Sequence, residues 1–250
     1  MHRDALVRWL DEFLKIRDFK DPSLNGLQVE GRPEVHRIGV AVDAAQVIFD
    51  KAAQAQVDFL ITHHGLFWGQ QFPLVGHHKK RLETLFSAGI SLYTAHLPLD
   101  AHPEVGNNAV MARELGLVEL EPFPHPKYGP IGFVGRFVQP RTLAEVEDQI
   151  GQLTGMQPLV HAAGMEEVRR VGVVSGGAAG DAGLAKALGC ELYITGEPSH
   201  AHYHEPFELG LNVIYAGHYD SETFGVKALA ARLEEEFGLP WVFVEHPTGL

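Results

Sequence analysis

The sequence is poor in cysteine, with Cys190 as the single example among 250 residues. One thiol excludes a disulfide within the chain, and it excludes zinc sites closed by several thiolates. The apolar residues around Cys190 predict a small buried side chain rather than a reactive thiol. A chain without disulfides is typical of a reducing compartment, so we expect a cytoplasmic location.

Long apolar runs and long basic runs are also absent. No apolar stretch approaches the roughly 20 residues that span a bilayer, and residues 3–16 have the spacing of an amphipathic helix rather than of a signal peptide. The formal net charge is −12. This acidity disfavours nucleic acid and anionic membranes as partners, whereas it suits cations. We therefore expect small molecules and metal ions as ligands.

Short buried strands alternate with helices along the chain. The strands are predicted at 38–42, 59–62, 90–94, 170–174, 192–195, 212–216 and 241–245. The helices between them are predicted at 44–56, 79–87, 107–115, 143–153, 182–188 and 222–237, whereas 21–26 is a turn-rich loop. This alternation predicts an α/β fold of mostly parallel sheets flanked by helices.

A proline-rich segment at residues 122–126 marks the best candidate for a domain boundary. Three prolines in five residues cannot continue a helix or a central strand, so 129–138 is predicted as an edge strand. We predict an N-terminal lobe, 1–124, and a C-terminal lobe, 125–250. Residues 39–62 align with 172–195 at a constant offset of 133, and 89–95 align with 210–216 at an offset of 121. The two α/β lobes are therefore predicted to be similar, through an internal duplication.

Candidate metal ligands follow the predicted strands, where function gathers in parallel sheets. His63 and His64 end one strand, and Asp100 lies shortly after the next. Adjacent strand residues point to opposite faces. The two histidines therefore converge only if the pleat breaks at Gly65, or else each reaches a different metal.

A third strand end leads to His218 and Glu222, which are four residues apart and fall on one side of a helical turn. One metal takes four to six ligands, and five ligands with two carboxylates suit two metals. The predicted ligand set of this dinuclear site is His63, His64, Asp100, His218 and Glu222. If the lobes are duplicates, equivalent strand ends can face one cleft between them. Histidine with carboxylate suits Zn, Mn, Fe, Co or Ni, so the metal stays open.

Other groups have two interpretations each. His96 and Glu197 are candidates for a proton shuttle, while His96 could be a water-mediated partner and Glu197 an exposed turn carboxylate. The stretch 200–204 alternates as a strand would, and one of its histidines could line the cleft. Residues 79–81 form either a solvated helix start or a phosphate site. The aromatic residues Phe67, Trp68 and Tyr219 either stack on a flat base or belong to the core.

Four segments together resemble the signatures of the NIF-three-like family, whose members are often described as homologues of GTP cyclohydrolase I type 2. The segments are 23–29 (SLNGLQV), 63–68 (HHGLFW), 96–100 (HLPLD) and 217–222 (GHYDSE). They occur in the family order and cover nearly the whole chain. Gly65 departs from the family pattern, since many members carry proline there, which changes the stiffness of the turn without removing a ligand.

The resemblance implies a dinuclear site at the five matching residues and a ring-shaped homohexamer, a trimer of dimers with interior metal sites. It also implies a single domain, here without the large insertion of some members. The leading hypothesis is a metal-dependent hydrolase of a small nucleotide-like substrate, since three histidines and two carboxylates leave coordination positions for water. The rival is a noncatalytic metal-binding ring that regulates or binds a protein.

Overall fold

The computed structural model describes all residues from 1 to 250, in a mixed α/β fold with two sheets flanked by helices. The helices are α1 Arg3–Phe13, α2 Gln46–Gln54, α3 Gly76–Ala88, α4 Leu97–Asp100, α5 Asn107–Glu114, α6 Leu143–Thr154, α7 Ala182–Ala187, α8 Glu205–Leu209, α9 His218–Ser221 and α10 Thr223–Phe237. The strands are β1 Gly26–Val29, β2 Ile38–Asp43, β3 Phe59–His64, β4 Ser91–Thr94, β5 Val118–His125, β6 Gly129–Thr142, β7 Leu159–His161, β8 Glu167–Val173, β9 Leu192–Thr195, β10 Asn212–Tyr215 and β11 Trp241–Phe243. No helix combines the length and the apolar character that crossing a bilayer requires.

The chain forms two compact units. Unit 1 comprises Met1–Leu99 and Val226–His246, and unit 2 comprises Asp100–Gly225 and Pro247–Leu250. The boundary expected at residues 124–125 falls inside unit 2, at the end of β5. Pro122 and Pro124 lie in this strand, which is at the edge of its sheet. Proline has no N–H to donate, and an edge strand tolerates this because one of its sides is not paired with another strand. The proline-rich segment therefore marks an edge hairpin, and the compact units divide the chain at other positions than the expected lobes.

Unit 1 contains a five-stranded sheet in the order β1-β4-β3-β2-β11. The pairs among β4, β3, β2 and β11 are parallel, and β1 joins antiparallel to β4. Helices α2 and α3 cover one face of this sheet with apolar side chains such as Phe49 and Leu85. Burial of these side chains against Leu60 and Leu92 fixes the strand ends from which the candidate ligands project.

Unit 2 contains a six-stranded sheet in the order β5-β6-β8-β9-β10-β7. Only β8, β9 and β10 are mutually parallel, so this sheet is mixed rather than mostly parallel. Strand β6 lies between β5 and β8, which corrects the expectation that 129–138 is an edge strand. Helices α5 and α6 pack on the sheet around Val171, Leu192 and Ile214. A capping box at Thr142 and Glu145 starts α6.

The strand pairing repeats between the units, as the internal alignment predicts. Ile38 pairs with Phe59 in unit 1, and Val171 pairs with Leu192 in unit 2, at the same sequence separation. The next pairs, Phe59 with Ser91 and Leu192 with Asn212, continue the same correspondence. Strands β2, β3 and β4 of unit 1 are therefore equivalent to β8, β9 and β10 of unit 2. Their carboxyl ends are equivalent positions for functional side chains.

Candidate metal centre

Three histidines of unit 1 meet at the carboxyl ends of β3 and β4. His63 and His64 are the last residues of β3, and the pairing of Asp43 with His64 shows that the strand continues through both. The two histidines nevertheless converge, although they are adjacent residues of one strand and Gly65 follows it. The rings of His63 and His64 have centroids 4.9 Å apart, and His96 lies 5.1 Å and 5.7 Å from them. Their nitrogen ligand atoms lie within 4.8 Å of one another.

The rings of His63 and His64 are oriented by acceptors at Nδ1. His63 Nδ1 lies 2.9 Å from the carbonyl oxygen of Ala95, and His64 Nδ1 lies 2.9 Å from Asp43 Oδ1. A carbonyl and a carboxylate can only accept, so each Nδ1 carries the proton and donates it. In a neutral imidazole the lone pair then lies on Nε2, which is the arrangement of metal-binding histidines. His63 is fully buried, so its ring has little freedom to leave this orientation.

His96 is held in the same way by Asp21, which lies in the turn-rich loop 21–26. His96 Nδ1 lies 2.9 Å from Asp21 Oδ1, and the other carboxylate oxygen accepts from Asn25 Nδ2 and from the Leu97 N–H. Burial alone would raise the pKa of Asp21, but hydrogen bonds from His96, Asn25 and the Ser23 N–H hold it below its usual value. Asp21 thus remains a carboxylate that fixes the His96 ring.

The second group of candidate ligands lies in unit 2, where the chain leaves β10. His218 begins α9 and Glu222 follows the helix, so one turn places both side chains on the same side. His218 Nε2 lies 3.4 Å from Glu222 Oε1, as the four-residue spacing predicts. His218 Nδ1 lies 3.2 Å from Glu197 Oε2, which comes from the end of β9. The imidazole of His218 is therefore oriented by a carboxylate, like those of His64 and His96.

The charge state of His218 reflects these two carboxylates. Burial alone would lower the pKa of this imidazole, but Glu222 and then Glu197 outweigh it and raise the pKa to about 9. Without a metal, His218 is therefore a cation at neutral pH. Glu222 is almost completely buried, and a buried carboxylate is normally compensated by a cation or by hydrogen bonds. The same position can thus hold either a proton or a metal ion.

Asp100 is a buried carboxylate of unit 2 with a defined orientation. Its Oδ1 accepts from Asn107 Nδ2 at 2.9 Å and from Ser175 Oγ at 3.1 Å. Gly176 follows Ser175 and donates its N–H to Ser221 Oγ in α9. A Cβ at Gly176 would lie 2.3 Å from Glu222 Oε1, so only glycine leaves room for that carboxylate. Polar contacts therefore connect Asp100 with the helix that carries His218.

The aromatic candidates separate into core and surface. Tyr219 is buried and belongs to the core, and Phe67 stacks on Phe72 at 5.5 Å. Trp68, in contrast, is 39% exposed. Its ring lies 5.0 Å from that of His96 and 5.8 Å from that of His64. Trp68 is therefore the one expected stacking residue that is both exposed and adjacent to candidate ligands.

The stretch 200–204 does not form a strand. His200–His202 is a 3₁₀ helix in which the Tyr203 N–H bonds back to the His200 carbonyl, so the alternation of a strand does not apply. His202 Nδ1 instead contacts Glu205 at 3.4 Å. Lys79 forms an exposed ion pair with Glu83 in α3, in line with the solvated interpretation of that helix start.

The donor chemistry fits divalent transition metals. Each unit presents imidazole or carboxylate groups that hydrogen bonds or ion pairs orient, which is the outer-shell support that metal ligands require. Imidazole with carboxylate suits Zn, Mn, Fe, Co and Ni. Cys190, the chain's single thiol, is buried, and this burial raises its pKa to about 12. It is therefore a core residue, as predicted, and not a ligand.

Comparison with known proteins gives concordant matches over the whole chain. The family model described as Duf34/NIF3 (NGG1p interacting factor 3) matches residues 1–248. A Deinococcus radiodurans protein named GTP cyclohydrolase 1 type 2 homolog is 49% identical over 99% of this chain and 94% of its own length. A crystal structure of a Thermus thermophilus protein is 62% identical, with a TM-score of 0.92 and full coverage of both chains. The protein ybgI, titled as being of unknown function, is 35% identical, with a TM-score of 0.93 and full coverage of both.

Proposed function

Because the chain belongs to the Duf34/NIF3 family, we propose that it is a metal-dependent hydrolase with a dinuclear site. The observation that carries this proposal is the shared orientation of four imidazoles. In His63, His64, His96 and His218, Nδ1 faces a carbonyl or carboxylate oxygen, which makes Nε2 the atom that would bind a metal. Histidines that merely fill a core would not need the same orientation four times.

In this proposal, residues of both units supply the ligands of the dinuclear site. Unit 1 contributes His63 and His64, to which we add His96, because its nitrogen lies within ligand distance of the other two. Unit 2 contributes Asp100, His218 and Glu222.

The chain's own residues then have separate tasks. When bound, the divalent cations supply Lewis acidity that activates water near neutral pH. Each of three imidazoles is held at Nδ1 by a carboxylate: His64 by Asp43, His96 by Asp21 and His218 by Glu197. Glu197 is 41% exposed at its side chain, so it can also exchange protons with solvent, which keeps it a candidate acid or base beside His218. His96, placed as a ligand, loses the proton-shuttle role that the sequence left open.

A small nucleotide-like molecule is the proposed substrate. Trp68 supports this choice, because an exposed indole ring beside His64 and His96 can stack on a planar heterocycle. Its Nε1–H donates to the Gly65 carbonyl at 3.0 Å, which fixes the ring at the end of β3. The relatives named GTP cyclohydrolase 1 type 2 homolog point to the same class of molecule.

The test measures metal content before activity. We expect wild-type protein to hold two metal equivalents after dialysis, and His63→Ala and Glu222→Ala to hold fewer. His36→Ala, an exposed histidine, is the matched control. Each of the Zn, Mn and Fe forms is then incubated with GTP, other nucleotides and generic phosphoesters. If no form exceeds the turnover of Glu222→Ala while the metals remain bound, the hydrolase is rejected in favour of a noncatalytic metal-binding ring.

We also propose that the chain assembles into a homohexamer. The family resemblance carries this part, and exposed apolar side chains such as Phe86 and Val138, both about 60% exposed, offer surface to bury. Light scattering at low concentration should give about six times the 27.5 kDa mass of the chain. A monomer mass would contradict the proposal.

A further inference from the structure

A groove in unit 1 is not used by the proposed metal site. It lies between α1, the 3₁₀ turn Ile16–Asp18 and the loop that leads into β1, and it has a volume of about 480 Å³. Apolar residues line part of it, and its polar lining consists of Asp11, Arg17, Asp21, Ser23 and Asn25. This size is within the range of small-molecule sites. We call it the Arg17 groove.

The buried hydroxyl group of Ser23 indicates that the groove binds a ligand. The residue is 95% buried, with 5% of its surface exposed, and its Oγ has no hydrogen-bond partner within the chain. The Ser23 N–H donates to Asp21 Oδ1 at 2.8 Å, which fixes the backbone at this residue. Buried hydroxyl groups are normally satisfied, because an unmade hydrogen bond costs stability. Because Ser23 lines the groove, its hydroxyl without a partner is suited to a ligand there.

Arg17 gives the charge of that ligand. Its exposed guanidinium makes no ion pair or hydrogen bond within the chain, although two carboxylates line the same groove. Those carboxylates have other donors, since Asp11 Oδ1 accepts from the Tyr93 hydroxyl at 2.9 Å and Asp21 accepts from His96. The guanidinium is therefore available for an anionic group, which its planar fork binds well.

Asp11 sets a second requirement. The Tyr93 hydroxyl engages only one of its oxygens, and a carboxylate can accept several hydrogen bonds. A purely anionic ligand would be repelled by this group, whereas a ligand with an O–H or N–H donor can satisfy it. Asn25 adds no such demand, because its side chain already bonds to Asp21 and to the His96 N–H.

We propose that the Arg17 groove binds a small anionic metabolite that also carries a hydrogen-bond donor. Arg17 binds the phosphate or carboxylate group, the Ser23 hydroxyl donates to it, and Asp11 accepts from the donor. The site goes beyond the proposed hydrolase function and needs no metal ion. It shares Asp21 with His96, so an occupied groove lies one side chain away from a candidate metal ligand.

The test is protection of Arg17 from phenylglyoxal in the full chain, followed by peptide mass spectrometry. The probes are hydrogen phosphate and glycolate, which carry an O–H donor, and sulfate, which carries none. At about ten times its dissociation constant, a bound probe should slow the modification of Arg17 about ten-fold. Arg8, which is exposed on α1 and lies outside the lining, should react at an unchanged rate.

The two donor-bearing probes distinguish the possible sources of the anion. Protection by phosphate alone indicates a phosphorylated ligand, and protection by glycolate alone indicates a hydroxy acid. Ser23→Ala should reduce the protection several-fold without changing metal content. Equal slowing of Arg17 and Arg8, equal protection by sulfate, or no protection by any probe would overturn the proposal. These results leave the hydrolase test untouched, since that test measures metal content and turnover.

Discussion

Metal binding at His218 should release a proton at a pH where an ordinary histidine has none to release. Glu222 and Glu197 raise the pKa of His218 to about 9 against the cost of its burial. A metal requires the neutral imidazole, so the proton must leave as the metal binds. An imidazole with the ordinary pKa of about 6.5 is already neutral above pH 7.5. Proton release above that pH therefore reports a histidine with a raised pKa.

The size of the effect follows from that pKa. At pH 7, a group with a pKa of about 9 is neutral in about 1% of the metal-free molecules, so competition with protons weakens metal binding about 100-fold. This corresponds to about 2.7 kcal/mol. Since the folded pKa is raised, the apparent affinity should increase with pH, about ten-fold per pH unit, and level off above pH 9. The sign would be opposite for a group with a lowered pKa.

Isothermal titration calorimetry with Mn²⁺, in buffers of different ionisation enthalpy between pH 7.5 and 8.5, counts the protons. We expect about one proton released per chain in wild type. Glu197→Gln removes one carboxylate beside His218 and should reduce both the proton release and the pH dependence of the affinity. Glu205→Gln, which removes a carboxylate beside His202 instead, is the matched control. Tight binding without proton release above pH 7.5 would refute the reasoning.

Three further predictions concern single residues. Asp43→Ala should weaken metal binding about 10- to 100-fold in calorimetry, because His64 loses the acceptor of its Nδ1–H, while the thermal midpoint of the metal-free protein should change little. Gly176→Ala should reduce the bound metal measured by mass spectrometry, because its Cβ would lie 2.3 Å from Glu222 Oε1; an unchanged metal content would contradict the close approach. Cys190 should resist iodoacetamide at pH 8 until guanidinium unfolds the protein, because burial raises its pKa to about 12; fast labelling of the native protein would contradict this burial.

The sequence predicted the parallel strands well, because their residues are buried on both faces and leave continuous apolar runs. The sequence predicts β3 and β9 close to their observed bounds, together with α3 after β3, whereas it does not predict α8 after β9. The candidate histidines could be predicted for the same reason, since each follows such a run. His63, His64 and His96 are brought together by the parallel pairing of β3 with β4, which strand alternation already implies.

The antiparallel strands and the partners of the histidines could not be predicted in this way. Strand β1 lies in a segment rich in turn formers, and β5 contains two prolines that only an edge position tolerates. Asp43 is 21 residues from His64, and Asp21 is 75 residues from His96. No local pattern connects residues at such separations. One feature of the sequence could have indicated Asp43 as the partner of His64. Asp43 directly follows the predicted strand 38–42, and the next predicted strand, 59–62, leads into His64.

The two units orient their histidines with residues at different positions of the repeated strand pairing. In unit 1, Asp43 at the end of β2 holds His64 at the end of β3. The internal alignment places Gly176 at the position of Asp43, and there a side chain would collide with Glu222. The orienting carboxylate of unit 2 comes instead from Glu197, which aligns with His64, and it holds His218 after β10. In unit 1 the carboxylate and the imidazole lie at the ends of the first and second equivalent strands, and in unit 2 they lie at the ends of the second and third. The first position of unit 2 is then a glycine, which leaves space for the Glu222 carboxylate.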